Sequence, residues 1–251
     1  MEIFVKERCE STNILADEFA RQYPDRSAAF IAKSQSGGVG RLGRSFSSEE
    51  GGLYMSITLP GRGECLSSTV GFTAYCAVVT ARAIEELCSL PIMIKWVNDL
   101  YLGGKKLGGI ITKGHMSPGT DRLASITVGI GINLKNPLPS ELSDIATRLC
   151  EHTEKCPTPE VLGEKIARSV EDGRDGFLSS QMLDEYRNRM LLIGKDITVY
   201  SSNREYFATV MGVNPDYSLK IRDRDGVMSD LYTGEVSIRA VDSANKPIFR
   251  K

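Results

Sequence analysis

Apolar residues recur with two different periods along the chain, and these periods predict an alternation of strands and helices. Apolar positions at helical spacing follow Ser11 and Thr12, either of which can cap a helix, and a longer apolar run over residues 68–87 predicts a buried helix. Short apolar segments predict strands at residues 3–5, 28–32, 53–59, 92–96, 99–102, 107–112 and 124–134. Gly103-Gly104 predicts a tight hairpin turn, and residues 159–190 predict a helical region.

The pattern changes near Gly194. Short β-like runs follow at residues 197–200, 207–213, 218–221, 227–231 and 235–239. Turn residues such as Asn214-Pro215-Asp216 and Asp225-Gly226 separate them. The sequence therefore predicts an α+β protein, with a larger domain over residues 1–192 and a small antiparallel β module over residues 193–251.

Composition narrows the class of protein. The chain has 251 residues, 41% of them hydrophobic, which is enough for a substantial core. Its 31 basic and 32 acidic residues nearly cancel, so no basic surplus argues for a DNA partner. The charged N-terminus is too short for a signal peptide, and no apolar run approaches the roughly 20 residues that span a bilayer. We expect a cytoplasmic protein with neither a DNA nor a membrane partner.

The six cysteines include no Cys-x-x-Cys pair, and several lie in predicted helix or strand interiors. They are therefore expected to be reduced, as in an intracellular protein. Cys150, His152 and Cys156 lie close together, but a zinc site usually needs four well-spaced ligands, so no metal is expected there.

Residues 35–46 form a loop rich in glycine and arginine. Its four glycines allow close approach of the backbone to a ligand, and Arg41 and Arg44 suit phosphate or carboxylate. The loop lacks the Gly-Lys-Ser/Thr ending of a Walker A loop, and the strand that follows it excludes a dinucleotide fingerprint. Composition alone leaves an ordinary surface loop as an equal alternative.

Strand alternation places Lys95 opposite the apolar side chains of Ile94 and Trp96. A lysine at the end of a buried strand needs an anionic partner. Asn98 and Asp99 follow at once and could bind polar ligand atoms or a hydrated Mg²⁺. The alternative is an ion pair between Lys95 and Asp99 at the sheet edge.

Two other strands carry glycines where side chains are expected. In residues 128–134 the apolar residues share one face, and the other face carries only Gly129, Gly131 and Asn133. That face predicts either the floor of a cleft for a flat ligand or a surface packed under a large side chain. Gly108-Gly109 also indicates close approach, whereas Lys105 and Lys106 are expected to lie in a solvated turn.

The order of these motifs is more specific than any one of them. They are Ser11-Thr12-Asn13, the loop 35–46, Lys95-Trp96-Val97-Asn98-Asp99-Leu100, Lys106-Leu107-Gly108-Gly109-Ile110 and Gly129-Ile130-Gly131-Ile132-Asn133. In this order they resemble the catalytic domain of biotin protein ligases, and residues 231–239 are similar to that family's C-terminal SH3-like barrel. The resemblance covers nearly the whole chain. The first motif begins at residue 11, which leaves no room for the winged-helix domain of some members, so a ligase without repressor function is implied.

The resemblance implies a mixed β-sheet with helices followed by an SH3-like β-barrel. It also implies an enzyme that uses ATP and Mg²⁺ to form biotinyl-5′-AMP and then biotinylates a lysine in the biotin-acceptor domain of a carboxylase, working as a monomer or a homodimer. The implied catalytic residues are Arg41 and Lys95, and Asn98 and Asp99 are the candidate Mg²⁺ ligands. The implied biotin contacts are Ser11, Thr12, Asn13, Gln35, Gly38, Val39, Gly40, Arg41, Lys95, Gly109 and Gly129. The implied ATP contacts are Arg41, Arg44, Phe46, Lys95, Asn98 and Asn133.

The sequence departs from the family pattern at four positions. Val39 replaces an arginine of the loop, Phe46 a tryptophan, Val97 a proline and Lys113 a glutamate. Phe46 can still stack on an adenine ring, whereas Val39 removes a positive charge from the loop. Two alternatives therefore stay open: a lipoate or octanoate protein transferase of related fold, and a non-catalytic relative that binds biotin.

Overall fold

A mixed seven-stranded sheet is the largest element of the protein. The computed structural model describes residues 1–40, 43, 45–201, 204–232, 235–238, 240–241 and 247–248. The strands are β1 (Glu2–Cys9), β2 (Ala28–Gln35), β3 (Leu53–Pro60), β4 (Met93–Lys95), β5 (Asp99–Leu102), β6 (Lys105–Met116) and β7 (Leu123–Ile132). Their order is β1-β2-β3-β7-β6-β5-β4, with β1 and β2 parallel and the other neighbours antiparallel. Each predicted strand is present, although β1, β2 and β6 are longer than predicted.

Among the described residues, α1 (Thr12–Gln22), α2 (Ser68–Cys88) and α3 (Pro159–Asp172) pack on this sheet, and α4 (Ser180–Asn188) packs on α2. Ser11 caps α1, because its side chain accepts a hydrogen bond from the Asn13 amide. The helical region predicted at 159–190 is confirmed and contains two α-helices, since Gly173 caps the end of α3 and Ser179 caps the start of a separate α4. None of the helices in the described part of the chain has the length and apolar character needed to cross a membrane.

The two faces of the sheet have different environments. On one face Ile57 and Phe72 belong to the main core, which α2 and α3 cover. On the other face Ala28 and Phe30 pack against Ala16 of α1. Because α1 covers only part of this second face, an open region remains beside it, and the candidate site lies there.

A second sheet follows the helices. It is antiparallel, with β8 (Asp196–Ser201), β9 (Arg204–Val213), β10 (Leu219–Asp223), β11 (Met228–Leu231) and β12 (Glu235–Ile238) in the order β11-β10-β9-β8-β12. A short pair, β13 (Ala240–Val241) and β14 (Pro247–Ile248), lies after it. This arrangement confirms the predicted β module and is consistent with an SH3-like domain.

The state of two cysteines differs from the expectation. Cys150 and Cys156, predicted to be reduced, form a disulfide. A 3₁₀ turn over Leu149–Glu151 reverses the chain and brings their Cα atoms to 5.1 Å, within the range that a disulfide bridges. The sequence spacing did not reveal this turn.

A buried ion pair joins the loop after β3 to the segment after α3. Arg174, which is 2% exposed, donates from Nη2 to Glu64 Oε1 at 2.6 Å. Burial opposes ionisation of Glu64, but the backbone amides of Arg62 and Glu64 together with the Arg174 guanidinium outweigh it, so the pKa of Glu64 lies below its usual range. Because the folded pKa is lowered, this pair stabilises the protein at neutral pH, and the stabilisation is lost as the pH falls through the folded value.

Replacing Arg174 with alanine is expected to lower the free energy of unfolding by about 3–5 kcal/mol, since it leaves the Glu64 carboxylate buried without its partner. Urea denaturation at neutral pH measures the change. Arg168→Ala is the matched control, because Arg168 pairs with Glu164 on the exposed face of α3 and should leave the stability nearly unchanged. Equal loss in the two variants would contradict the prediction.

Candidate functional site

A cavity of about 450 Å³ opens on the face of the sheet that α1 partly covers. Its volume is within the range of small-molecule sites. The described residues that line it are Thr12, Asn13, Gln35, Val39, Gly40, Ser45, Phe46, Tyr54, Met55, Lys95, Trp96, Asn98, Asp99, Lys106, Gly109, Ile110, Ile111, Gly129, Ile130, Gly131 and Tyr200. The cavity thus brings together motifs that lie more than a hundred residues apart in the sequence.

The floor of the cavity is the bare face of β7. A Cβ added to Gly129 would lie 2.5 Å from Asn13 Oδ1, and one added to Gly131 would lie 2.8 Å from the Phe46 ring. The sequence left two alternatives for this face, the floor of a cleft or a surface packed under a large side chain. Both are correct, because the glycines lie under large side chains and also line the cavity. Any side chain at Gly129 or Gly131 would displace a neighbour that lines the cavity.

One end of the cavity is polar and neutral. Gln35 Oε1 accepts hydrogen bonds from the Thr12 amide at 2.8 Å and the Thr12 hydroxyl at 3.1 Å, and Gln35 Nε2 donates to Ser48 Oγ at 2.9 Å. The Ser56 hydroxyl lies 2.8 Å from Thr12 Oγ1 and donates to Asn13 Oδ1 at 3.0 Å. These bonds fix the orientation of each side chain, so this end presents preorganised amide and hydroxyl groups.

The other end carries charge. Lys106 Nζ lies 2.7 Å from Asp99 Oδ1, and Lys95 Nζ lies 5.9 Å from the centre of the Tyr101 ring. Asp99 therefore forms its ion pair with Lys106. The sequence left open an ion pair between Asp99 and Lys95. Burial, and next the charge of Asp99, raise the pKa of Tyr101 to about 12, so its hydroxyl is neutral at physiological pH. This end of the cavity suits an anionic group such as a phosphate or carboxylate.

Asn98, which precedes β5, is hydrogen-bonded to β6 in the cavity wall that carries these lysines. Its carbonyl accepts from the Ile110 amide at 3.0 Å, and its Nδ2 donates to the Ile110 carbonyl at 2.8 Å. The side-chain amide nitrogen of Asn98 is thus hydrogen-bonded to β6. Asp99 is the one carboxylate among the described lining residues. Within the described ranges, no group of three or more His, Cys, Asp or Glu side chains is arranged to hold a metal ion by itself.

The glycine loop bends back on itself beside the cavity. The Phe46 amide donates to the Gly38 carbonyl at 2.9 Å, and Val39 forms a β-bridge with Ser45. Gly38 packs against Ser48 and Phe46 and does not line the cavity. The predicted residues Arg41 and Arg44 lie outside the described part of the chain.

Two further predicted residues lie away from the lining. Ser11 is buried as the cap of α1. Asn133 is buried one residue beyond β7, where its Oδ1 accepts from Asn136 Nδ2 at 3.3 Å. Their predicted contacts with biotin and ATP stay predictions, and the geometry assigns both side chains a structural role.

Two polar residues that line the cavity were not predicted from the sequence. Lys106, expected in a solvated turn, lines the cavity because the register of β5 and β6 shifts between Leu100 and Tyr101. The period-two pattern does not encode such a bulge. Tyr200 reaches the cavity from the second sheet, which no local pattern in the sequence reveals.

Comparisons with known proteins agree with the resemblance. The model of the biotin/lipoate A/B protein ligase family matches residues 5–133. The bifunctional ligase/repressor BirA of Bacillus subtilis (strain 168) is 30% identical over 238 residues, which cover 91% of this chain and 71% of that protein. Biotin–[acetyl-CoA-carboxylase] ligase of Paracoccus denitrificans is 33% identical over 129 residues, which cover 51% of this chain and 52% of that protein. The biotin protein ligase from Aquifex aeolicus, solved in complex with biotin and ATP, superposes with a TM-score of 0.79 at 26% identity, covering 95% of this chain and 98% of that one.

Proposed function

Because the chain belongs to the biotin/lipoate A/B protein ligase family, we propose that it activates biotin with ATP and transfers it to a lysine of an acceptor protein. The observation that carries the proposal is the cavity itself, in which a neutral polar end and a cationic end share one glycine floor. Such a cavity suits a ligand with an uncharged polar head and an anionic tail. Biotin has both, since it carries a ureido ring at one end and a carboxylate at the other. The names of the relatives, which are ligases, and the similar structure solved with biotin and ATP support the ligase and ATP-binding assignments.

The first step joins two anions. An oxygen of the biotin carboxylate attacks the α-phosphorus of ATP, the bond from that phosphorus to the bridging oxygen of pyrophosphate breaks, and biotinyl-5′-AMP forms. Lys95 and Lys106 line the cavity at its charged end, where they offset the repulsion between the reactants and the charge of the transition state. The substrate carboxylate is the nucleophile, so no nucleophilic side chain of the protein takes part in the step.

The polar end positions the head of biotin. Thr12, Asn13 and Gln35 are the proposed contacts, since their hydrogen bonds hold their orientation before the ligand binds. Gly109 and Gly129 leave room for the ligand beside them, and Val39 and Gly40 bound it from the loop. Phe46, which packs over Gly131, is the proposed platform for the adenine ring.

The charged end offers Mg²⁺ the carboxylate of Asp99 and the side-chain amide oxygen of Asn98. Mg²⁺ in nucleotide sites is commonly held by one or two carboxylates together with substrate phosphates, and Asp99 offers one carboxylate in the cavity wall. The hydrogen bond from Asn98 Nδ2 to the Ile110 carbonyl fixes the orientation of the Asn98 side chain, whose Oδ1 is the atom that would bind the ion. When bound, the ion would neutralise phosphate charge.

In the second step the ε-amine of an acceptor lysine attacks the carbonyl carbon of the mixed anhydride. The bond from that carbon to the AMP oxygen breaks, the nitrogen loses a proton, and an amide forms. The proposed acceptor is the carrier domain of a biotin-dependent carboxylase, which the name of the Paracoccus denitrificans relative supports.

We assign this chemistry to residues 1–192 and treat residues 193–251 as the second module, since Gly194 with φ of 76° turns the chain between them.

The test is to incubate the full chain with ATP, Mg²⁺, biotin and a carboxylase carrier domain, and to measure the mass of the carrier domain. We expect one biotinyl adduct that depends on ATP. Modification by lipoate and not by biotin would move the assignment to a lipoate transferase. Tight biotin binding with no adduct and no biotinyl-5′-AMP would identify a non-catalytic relative.

A further inference from the structure

Two parts of the protein form the rim of the cavity, the glycine loop on one side and the second sheet on the other. Three lining residues are exposed: Val39 and Ser45, which pair across the glycine loop, and Tyr200 of β8. Val39 is 49% exposed and Tyr200 is 37% exposed, so both side chains border the opening while they also line the interior. Among the described lining residues, Tyr200 is the one that belongs to the second sheet.

Hydrogen bonds from β4, and from Trp96 directly after it, hold the second module beside the cavity wall. Trp96, which is 4% exposed, donates from Nε1 to the Tyr217 carbonyl at 2.8 Å. The Ile94 backbone exchanges two 2.8 Å hydrogen bonds with Arg189 and Leu191, just before the second sheet begins. These bonds lie on either side of Lys95, so the sheet that carries Tyr200 is anchored on the wall that carries the lysine.

We propose that Tyr200 is a ligand-contacting residue of the rim, whose ring covers the acyl-adenylate intermediate and retains it until the acceptor amine arrives. This inference rests on the proposed function. A mixed anhydride is lost if it leaves the site or meets water before the amine does. An aromatic ring covers a large apolar area, and a rim residue anchored through β4 covers the intermediate without having to order on binding.

Tyr200 therefore acts after the chemistry of the first step. Lys95 and Lys106 lie in the wall, and Tyr200 lies at the opening, so removing its ring should change retention of the intermediate more than its formation. A residue with a purely structural role in the second sheet would instead change the thermal stability together with both rates.

The experiment loads the full chain with biotin and ATP labelled in the α-phosphate, then adds excess unlabelled biotin and ATP and follows the label that stays bound. For Tyr200→Ala we expect release of the intermediate about tenfold faster, and a change in the rate of its formation that is smaller than the change in release. Tyr200→Phe should keep release within about twofold, because the ring is retained. Tyr232→Ala is the matched control, since Tyr232 is a more exposed tyrosine of the second module that does not line the cavity.

Release at the unchanged rate from Tyr200→Ala would overturn the inference. Equal acceleration in Tyr200→Ala and Tyr232→Ala would also overturn it, because the effect would then belong to the module as a whole. If the unchanged protein forms no labelled intermediate, the proposed function fails and the inference fails with it. That outcome is distinguishable, since it appears before any variant is compared.

Discussion

Replacing Lys95 with alanine is expected to lower the rate of biotinyl-5′-AMP formation about a hundredfold, which corresponds to ~3 kcal/mol of transition-state stabilisation. The reason is electrostatic. Biotin and ATP are both anions, and Lys95 lies in the wall of the cavity end where they must meet. Because Ile94 and Trp96 on either side supply the buried packing of this strand, the fold should survive the change.

Single-turnover formation of the adenylate measures this effect, with circular dichroism as the check on folding. Lys105→Ala is the matched control, since the Lys105 ammonium donates to the Ser143 carbonyl and the side chain does not line the cavity. We expect Lys105→Ala to keep the rate of the unchanged protein. A rate for Lys95→Ala within a factor of about two would remove Lys95 from the mechanism, since one positioned charge should contribute far more than that.

Gly129→Ala is expected to weaken biotin binding about a hundredfold, or ~3 kcal/mol. The new methyl group would lie 2.5 Å from Asn13 Oδ1 and 2.9 Å from Asn13 Nδ2. The Asn13 side chain must then move, which breaks its hydrogen bond with Ser56 and changes the polar end of the cavity. A similar shift of Ile111, 3.0 Å away, would narrow the floor.

Isothermal titration with biotin alone measures the loss without reference to catalysis. Gly212→Ala is the control, because Gly212 also lies in a strand but has no atom within 4 Å of an added Cβ. Its biotin affinity should equal that of the unchanged protein. Affinity retained by Gly129→Ala would show that biotin binds elsewhere in the cavity, away from Asn13.

Much of the site could be predicted because its parts are local. The bare face of β7, the placement of Lys95 opposite Ile94 and Trp96, and the cap at Ser11 each follow from side-chain periodicity or spacing within a few residues. The second sheet was predictable for the same reason, since its short strands alternate with turn residues. The helical character of residues 159–190 was also predictable, whereas the break between α3 and α4 was not, because the periodicity continues across Gly173.

The sequence by itself determined which residue types are available and which face of each strand they occupy, because strand geometry fixes the direction of alternate side chains. Only the tertiary structure decided which of them meet. The register shift between β5 and β6 places Lys106 beside Asp99, the anchoring of the second sheet on β4 brings Tyr200 to the rim, and Asn136 engages Asn133 away from the lining. These outcomes depend on contacts between residues distant in sequence, and such contacts are set by how the whole core packs rather than by any local pattern.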